Sequence, residues 1–160
     1  MREDIIRHAF EVFQLDAEAI PSISLRGGTA VDSYRVPPAF DPEIDQPTDA
    51  YLEAYAYWGL TYLDPASWRH YLPCLIDYAI RHIREPGSLV TDGLLSSLRP
   101  PDREPPRLGS ISVGQEAVVV EFLDLLAFDE SSAYQDFAMQ VLEEYWVPNA
   151  LYRERTTGGT

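Results

Sequence analysis

The sequence predicts an all-α fold, with five or six helices around one core and long proline-rich loops between them. Three observations carry that reading. Apolar residues recur at helical spacing in six stretches. Of the thirteen prolines, five fall in 21–47 and four in 100–106, so both windows are loops or extended segments rather than helix interiors. Only one stretch, Ala30 to Val36, has strand character, and a single strand builds no sheet. At 160 residues the chain reads as a single helical domain, 1–160, with 21–47 and 100–111 as loops and 156–160 as a frayed tail.

The first helix is predicted over about 2–15, where Ile5, Ile6, Ala9, Phe10 and Phe13 share a face. In the first loop window, Gly27-Gly28 reads as a turn. The second helix, about 48–63, starts at Thr48 as N-cap and carries a stripe of Tyr51, Tyr55, Trp58 and Tyr62. Leu52, Ala56, Gly59 and Leu63 lie beside it, and their small members let a neighbour come close. The third helix has the clearest start: Asp64 caps it, and Pro65 takes the first helical position, where a missing N–H costs nothing. Trp68, Leu72, Leu75, Ile76, Ala79, Ile80 and Ile83 then follow a 3.6 period until Pro86-Gly87. Pro73 should bend this helix on its polar side without breaking it.

A short helix follows over about 91–99, with Leu94, Leu95 and Leu98 inward. The fifth, 112–128, opens on Ser112 and Gln115 at capping-box spacing. From Ala117 to Phe128 its only polar residues are Glu121 and Asp124, three apart on one stripe, so it is expected to be a central helix. The sixth, 131–146, turns Tyr134, Phe137, Ala138, Val141, Leu142 and Tyr145 inward and Asp136, Glu143 and Glu144 outward, and it stops at Pro148.

Charge narrows the function classes. The net charge is −14 and every one of the twelve basic residues is arginine. Between Arg35 and Arg69 lie six acids and no base, and between Arg107 and Arg153 eight more. Such a field repels phosphate backbones, so direct nucleic-acid binding is not expected, whereas it speeds encounter with a basic protein. No apolar run approaches the roughly 20 residues of a membrane span. The charged start Met1-Arg2-Glu3-Asp4 is unlike a secretory leader, so a cytoplasmic location is expected. The lone Cys74 excludes an internal disulfide and a cysteine-built zinc site, and its place beside acids marks it as a packed thiol.

Chemistry-bearing motifs are sparse. There is no glycine-flanked serine elbow, and no strand–loop–helix unit surrounds Gly27-Gly28 to make a phosphate cradle. Asp4, His8 and Glu11 share one face of the first helix, and His82 and Glu85 stand three apart, but neither set repeats on several helices as a di-iron bundle requires. No metal and no cofactor is therefore assigned. Trp68, Arg69, His70 and Tyr71, just before Pro73, combine groups that recognise an anionic or aromatic ligand and form a candidate pocket.

The segment Leu63-Asp64-Pro65-Ala66-Ser67-Trp68-Arg69-His70-Tyr71-Leu72-Pro73 resembles the central motif of an uncharacterised bacterial family, a domain of unknown function. That motif runs leucine, threonine, proline, glutamate, alanine, an aromatic, arginine, then tyrosine-leucine-proline. Asp64 and Ser67 here replace the usual threonine and glutamate, and His70 stands where an aromatic is common. The similarity extends to Tyr57 and Trp58, to Asp92–Leu98 and to the Ser112–Leu126 helix. The resemblance implies a small, helical, cytoplasmic bacterial protein and brings no catalytic residue with it.

The leading expectation is a non-enzymatic acidic protein that binds another protein, with a basic toxin or effector as the partner class and occlusion as the mechanism. Asp41, Glu43, Asp45, Asp49 and Glu53, with Asp129, Glu130, Asp136, Glu143 and Glu144, are the expected contact acids. One alternative is a small-ligand or metal-dependent enzyme with its pocket near His70. Another is a structural module that self-associates through the Tyr51–Tyr62 face.

Overall fold

In the computed structural model, which describes residues 1–153, the chain forms eight α-helices, with no strand among the described residues. The all-α class therefore holds, built from more and shorter helices than five or six. The tail at 156–160 lies outside the described residues.

The first stretch is two helices, α1 (Arg2–Val12) and α2 (Gln14–Glu18). The break is at Phe13, whose backbone leaves the helical region (φ −104°, ψ 14°) and whose ring is fully buried. α1 packs on the helices over Pro65–Arg81 (α5) and Val113–Phe128 (α7), while α2 turns along α5. One straight rod could not follow both paths.

The largest departure lies in the 21–47 window, where Leu25–Asp32 is a helix, α3, rather than a turn and a strand. The Ser24 side chain caps it, accepting from the Gly27 N–H at 2.8 Å. Gly27 and Gly28 are helical and buried, because α3 packs hard against α4 (Asp49–Gly59). A Cβ at Gly28 would lie 2.3 Å from the Gly59 carbonyl oxygen, and one at Gly59 2.2 Å from that of Leu25. The glycines are there for backbone contact, not for a turn. Of the stretch with strand character, Ala30 to Val36, the first three residues belong to α3 and Ser33 to Val36 end it: Arg35 N–H reaches back to the Ala30 carbonyl at 2.8 Å and Tyr34 N–H to Val31 at 3.0 Å, with Tyr34 in the left-handed region at φ 60°.

The expected caps Thr48 and Asp64 form, accepting from the N–H groups of Tyr51 and Ser67. The short helix expected over about 91–99 starts earlier, at Leu89, because the Ser88 side chain caps it by accepting from the Thr91 N–H. Helix α5 (Pro65–Arg81) is the centre of the molecule, touched by α1, α2, α6 (Leu89–Ser97) and α7. It runs unbroken through Pro73, which is buried rather than on a polar face. It ends at Arg81, ahead of Pro86, and Gly87 at φ 75° turns the chain into α6.

In α7 (Val113–Phe128), Ser112 and Gln115 make both bonds of the capping box, at 3.1 and 2.9 Å. α7 is not enclosed all round: Glu121, Asp124 and Phe128 are exposed. The last stretch divides into α8 (Gln135–Val141) and a wider π turn over Leu142–Trp146. The wider turn changes the helical phase and carries Glu144 inward.

Candidate functional site

The four residues expected to form a ligand pocket on α5 are tied into the interior. Trp68 is fully buried and its Nε1 donates to Ser97 Oγ at 3.2 Å. Arg69 binds Asp16 and Ser110 at 3.0 and 2.7 Å. The His70 ring meets the Asp16 carbonyl through Nδ1 at 3.0 Å, and burial pushes its pKa below the ordinary value. The Tyr71 hydroxyl sits beside Tyr51 and accepts from the Leu25 N–H at 3.4 Å, its pKa pushed up to about 12 by burial. These groups hold α2, α3 and the 108–110 turn against α5.

The ten expected contact acids separate into two kinds. Four are engaged internally. Asp45, 1% exposed, accepts both Nε and Nη2 of Arg26 at 3.0 Å, the Tyr51 hydroxyl at 2.8 Å and the Asp41 N–H at 2.8 Å, and so pins the 33–47 loop onto α3. Burial raises its pKa, but those hydrogen bonds outweigh burial and hold the carboxyl below the ordinary range. Asp49 pairs with Arg81 at 2.7 Å, Asp129 with Arg2 at 2.8 Å, and the buried Glu144 with Arg99 at 2.9 Å. The second kind, Glu43, Glu53, Glu130, Asp136 and Glu143, stands exposed, with Asp41 partly so. On the aromatic face, Tyr51 is buried while Tyr57, Trp58 and Tyr62 reach solvent.

A different place combines uncovered apolar surface with acids. Where α1 crosses α7, a groove of about 670 Å³ is lined by Met1, Asp4, Ile5 and His8 from one helix, and by Glu121, Asp124, Leu125 and Phe128 from the other, with Asp129 at its end. Helical spacing explains the lining. Positions 4, 5 and 8 share a face of α1, and 121, 124, 125 and 128 share a face of α7. Ile5 and Leu125 form a nearly sealed floor, while the Phe128 side chain stays 65% exposed at the rim. Phe128 therefore adds an open apolar ring to the mouth of the groove.

The rim is acidic. His8 Nδ1 faces Glu121 Oε2 at 3.7 Å across the groove. Asp4 meets Arg7 on its own helix at 3.1 Å, an exposed pair of small worth. Asp124 has no ion pair among the described residues, and burial against the apolar wall pushes its carboxyl above the ordinary value. Glu11, the third member of the sequence's possible ligand set, points instead to Arg7 at 3.7 Å. Among the described residues, no three His, Cys, Asp or Glu side chains converge as metal ligands would.

Both halves of this groove are visible in the sequence, as the Asp4–His8 face and as the Glu121–Asp124 stripe. Their meeting is not, since nothing local says that α1 lies across α7. Phe128 was the missed signal: an aromatic at the last helical position, beyond the buried Leu125 and Leu126.

The model of a family of unknown function (DUF6714) matches residues 1–150. No curated protein and no solved structure matches the chain. The family match agrees with the resemblance read around Leu63–Pro73, at the level of an uncharacterised domain. No helix among the described residues is long and apolar enough to cross a membrane.

Proposed function

The chain belongs to DUF6714, a family of unknown function, and we propose that it is a non-enzymatic protein that binds a basic amphipathic segment of another protein in the α1–α7 groove. The observation that carries this reading is the pairing, in one groove, of the open Phe128 ring with the acids Asp4, Glu121 and Asp124. An amphipathic helix would lay apolar residues over Ile5, Leu125 and Phe128 and set arginine or lysine against the rim. The partner class is the one expected from charge, a basic toxin or effector occluded by the bound protein, met in the cytoplasm of a bacterial cell. The surrounding field of a −14 chain would steer that encounter and disfavour nucleic acid.

The test is capture from host lysate, run in parallel on the wild-type chain and on Phe128→Asp with Asp124→Arg. The expected result is a stoichiometric basic protein on the wild-type chain that leaves at high salt, because exposed charges are screened over roughly 8–10 Å, and that the variant fails to hold. Equal capture by both chains would sink the groove as the site.

A further inference from the structure

A second site lies on the opposite logic, a buried cation without a counter-ion. Arg107 is 3% exposed. Its Nη1 donates to the Leu60 carbonyl at 3.3 Å, and its guanidinium lies over the Trp68 ring, 5.2 Å from the centroid. Its Nε and Nη2 are buried and meet no hydrogen-bond partner among the described residues. Those two nitrogens form the edge of a guanidinium that takes an oxyanion in two parallel bonds. The same chain uses that edge twice: Arg26 offers it to Asp45 at 3.0 Å for both bonds, and Arg99 offers it to Glu144 at 2.9 and 3.2 Å. Arg107 holds the fork ready and lacks the oxyanion.

The surroundings are built for one. Two cavities, of about 340 and 350 Å³, flank Arg107, and the exposed Arg103 lines both. No carboxylate forms an ion pair with either arginine among the described residues; Asp64 and Asp102 act on Arg107 only from a distance, and Asp102 is taken up by the N–H groups of Arg103, Arg107, Leu108 and Gly109. Burial, with repulsion from Arg103 behind it, pulls the Arg107 pKa down to about 10 against the weaker pull of Asp102 and Asp64. The first cavity is also walled by Tyr57 and Trp58, which are 41% and 51% exposed, with Gly93 giving a smooth side and Ser96 a hydroxyl. Asp32 lines it too, as the acceptor of the Tyr62 hydroxyl at 2.9 Å.

We propose that this cleft binds a small oxyanion, a carboxylate or a phosphate monoester, carried on a flat ring. The Nε/Nη2 edge of Arg107 and the guanidinium of Arg103 take the anion, and Tyr57 and Trp58 take the ring. The Arg107 nitrogens are sealed from solvent, so the anion enters through a local opening of the cleft, in which Arg103 gives up its hydrogen bond to the Thr61 carbonyl and turns onto the anion. The site is independent of the α1–α7 groove, so either can fail alone.

The experiment titrates the intact chain with adenosine monophosphate, benzoate and inorganic phosphate, with adenosine as the uncharged ring. Binding is read by calorimetry and by the Nε–H resonance of Arg107. The expected result is that at least one ring-bearing anion binds and moves that resonance, while adenosine binds at least tenfold more weakly than adenosine monophosphate. Response to adenosine monophosphate alone assigns a phosphate ester, and response to benzoate alone assigns a carboxylate. Arg107→Gln should weaken binding at least tenfold; should that variant not fold, the resonance of the wild-type chain is read alone. Trp58→Ala should weaken the ring-bearing anions and leave inorganic phosphate unchanged. An Arg107 resonance unmoved by every probe, or equal affinity in a folded Arg107→Gln chain, would overturn the proposal.

Discussion

Replacing Gly28 by alanine tests whether the α3–α4 crossing is set by backbone contact. The new methyl would lie 2.3 Å from the Gly59 carbonyl oxygen and 2.9 Å from its Cα. Neither obstacle is a side chain that can rotate away, so the helices must part by roughly 1 Å to reach ordinary van der Waals separation. Forced overpacking costs about 1–3 kcal/mol, and losing a glycine from a helix returns about 0.5–1 kcal/mol. With obstacles this rigid the upper part of that range applies, leaving a net loss of roughly 2 kcal/mol. For a chain of this size that lowers the melting midpoint by about 4–8 °C. Gly93→Ala is the control, because its Cβ would meet the Leu60 Cδ1 and the Tyr57 Cα at 3.5 Å, ordinary contact, and it should stabilise by about 0.5 kcal/mol. Gly28→Ala combined with Gly59→Ala should cost less than the sum of the two, since the first methyl already parts the helices. Urea denaturation of the wild-type chain, the three single variants and the double variant measures all of this. A Gly28→Ala chain as stable as wild type, or a Gly93→Ala chain hurt more than it, would refute the contact argument.

Other expectations follow from single groups. Tyr34→Gly should stabilise by about 1 kcal/mol in urea, because the fully exposed tyrosine holds a left-handed backbone that glycine adopts freely. Ser112→Ala breaks the capping box of α7 and should cost about 1 kcal/mol by the same assay. Asp45→Asn leaves Arg26 without its charge partner and frees the 33–47 loop; a loss of about 2–3 kcal/mol, with faster proteolysis in that loop, is expected. In acid, Asp49 (held low chiefly by Arg81), Asp129 (by Ser131, then Arg2) and Asp45 have folded values below the ordinary carboxylate range. Their stabilisation is therefore full above about pH 4 and is lost as pH falls through the folded values, with Asp92 and Asp124, raised by burial, acting in the opposite sense. The urea midpoint should stay level from neutral pH to about pH 5 and drop below about pH 4. The Cys74 thiol, pushed up to about 11 by burial, should alkylate far more slowly at pH 8 in the native chain than in urea.

Helix starts were the legible part of this chain, because capping is local chemistry. Thr48, Asp64 and Ser112 announce their helices in the sequence and cap them in the structure. What local chemistry cannot express was misread. Gly27-Gly28 has the signature of a turn, and only the approach of Gly59 explains it as a helix interior. Phe13 looks like one more core residue of a long helix until α5 and α7 require the chain to change course. Glu144 sits on the outward face of an ideal helix, and a π turn takes it to Arg99 instead. The same limit governed the site residues. His70 and Arg69 are unusual by composition, yet Asp16, far off in sequence, uses them both. Asp4 and Glu121 were each visible on their own helix, and only the crossing of α1 over α7 joins them.

The most direct test of the groove is a titration of isotope-labelled protein with an arginine-rich amphipathic peptide, followed by backbone amide shifts at low and high salt. Shifts concentrated on Asp4, Ile5, His8, Glu121, Asp124 and Phe128, fading as salt rises, are the expected outcome. Shifts gathered instead around 41–53, or spread over every exposed acid without focus, would contradict binding in the α1–α7 groove.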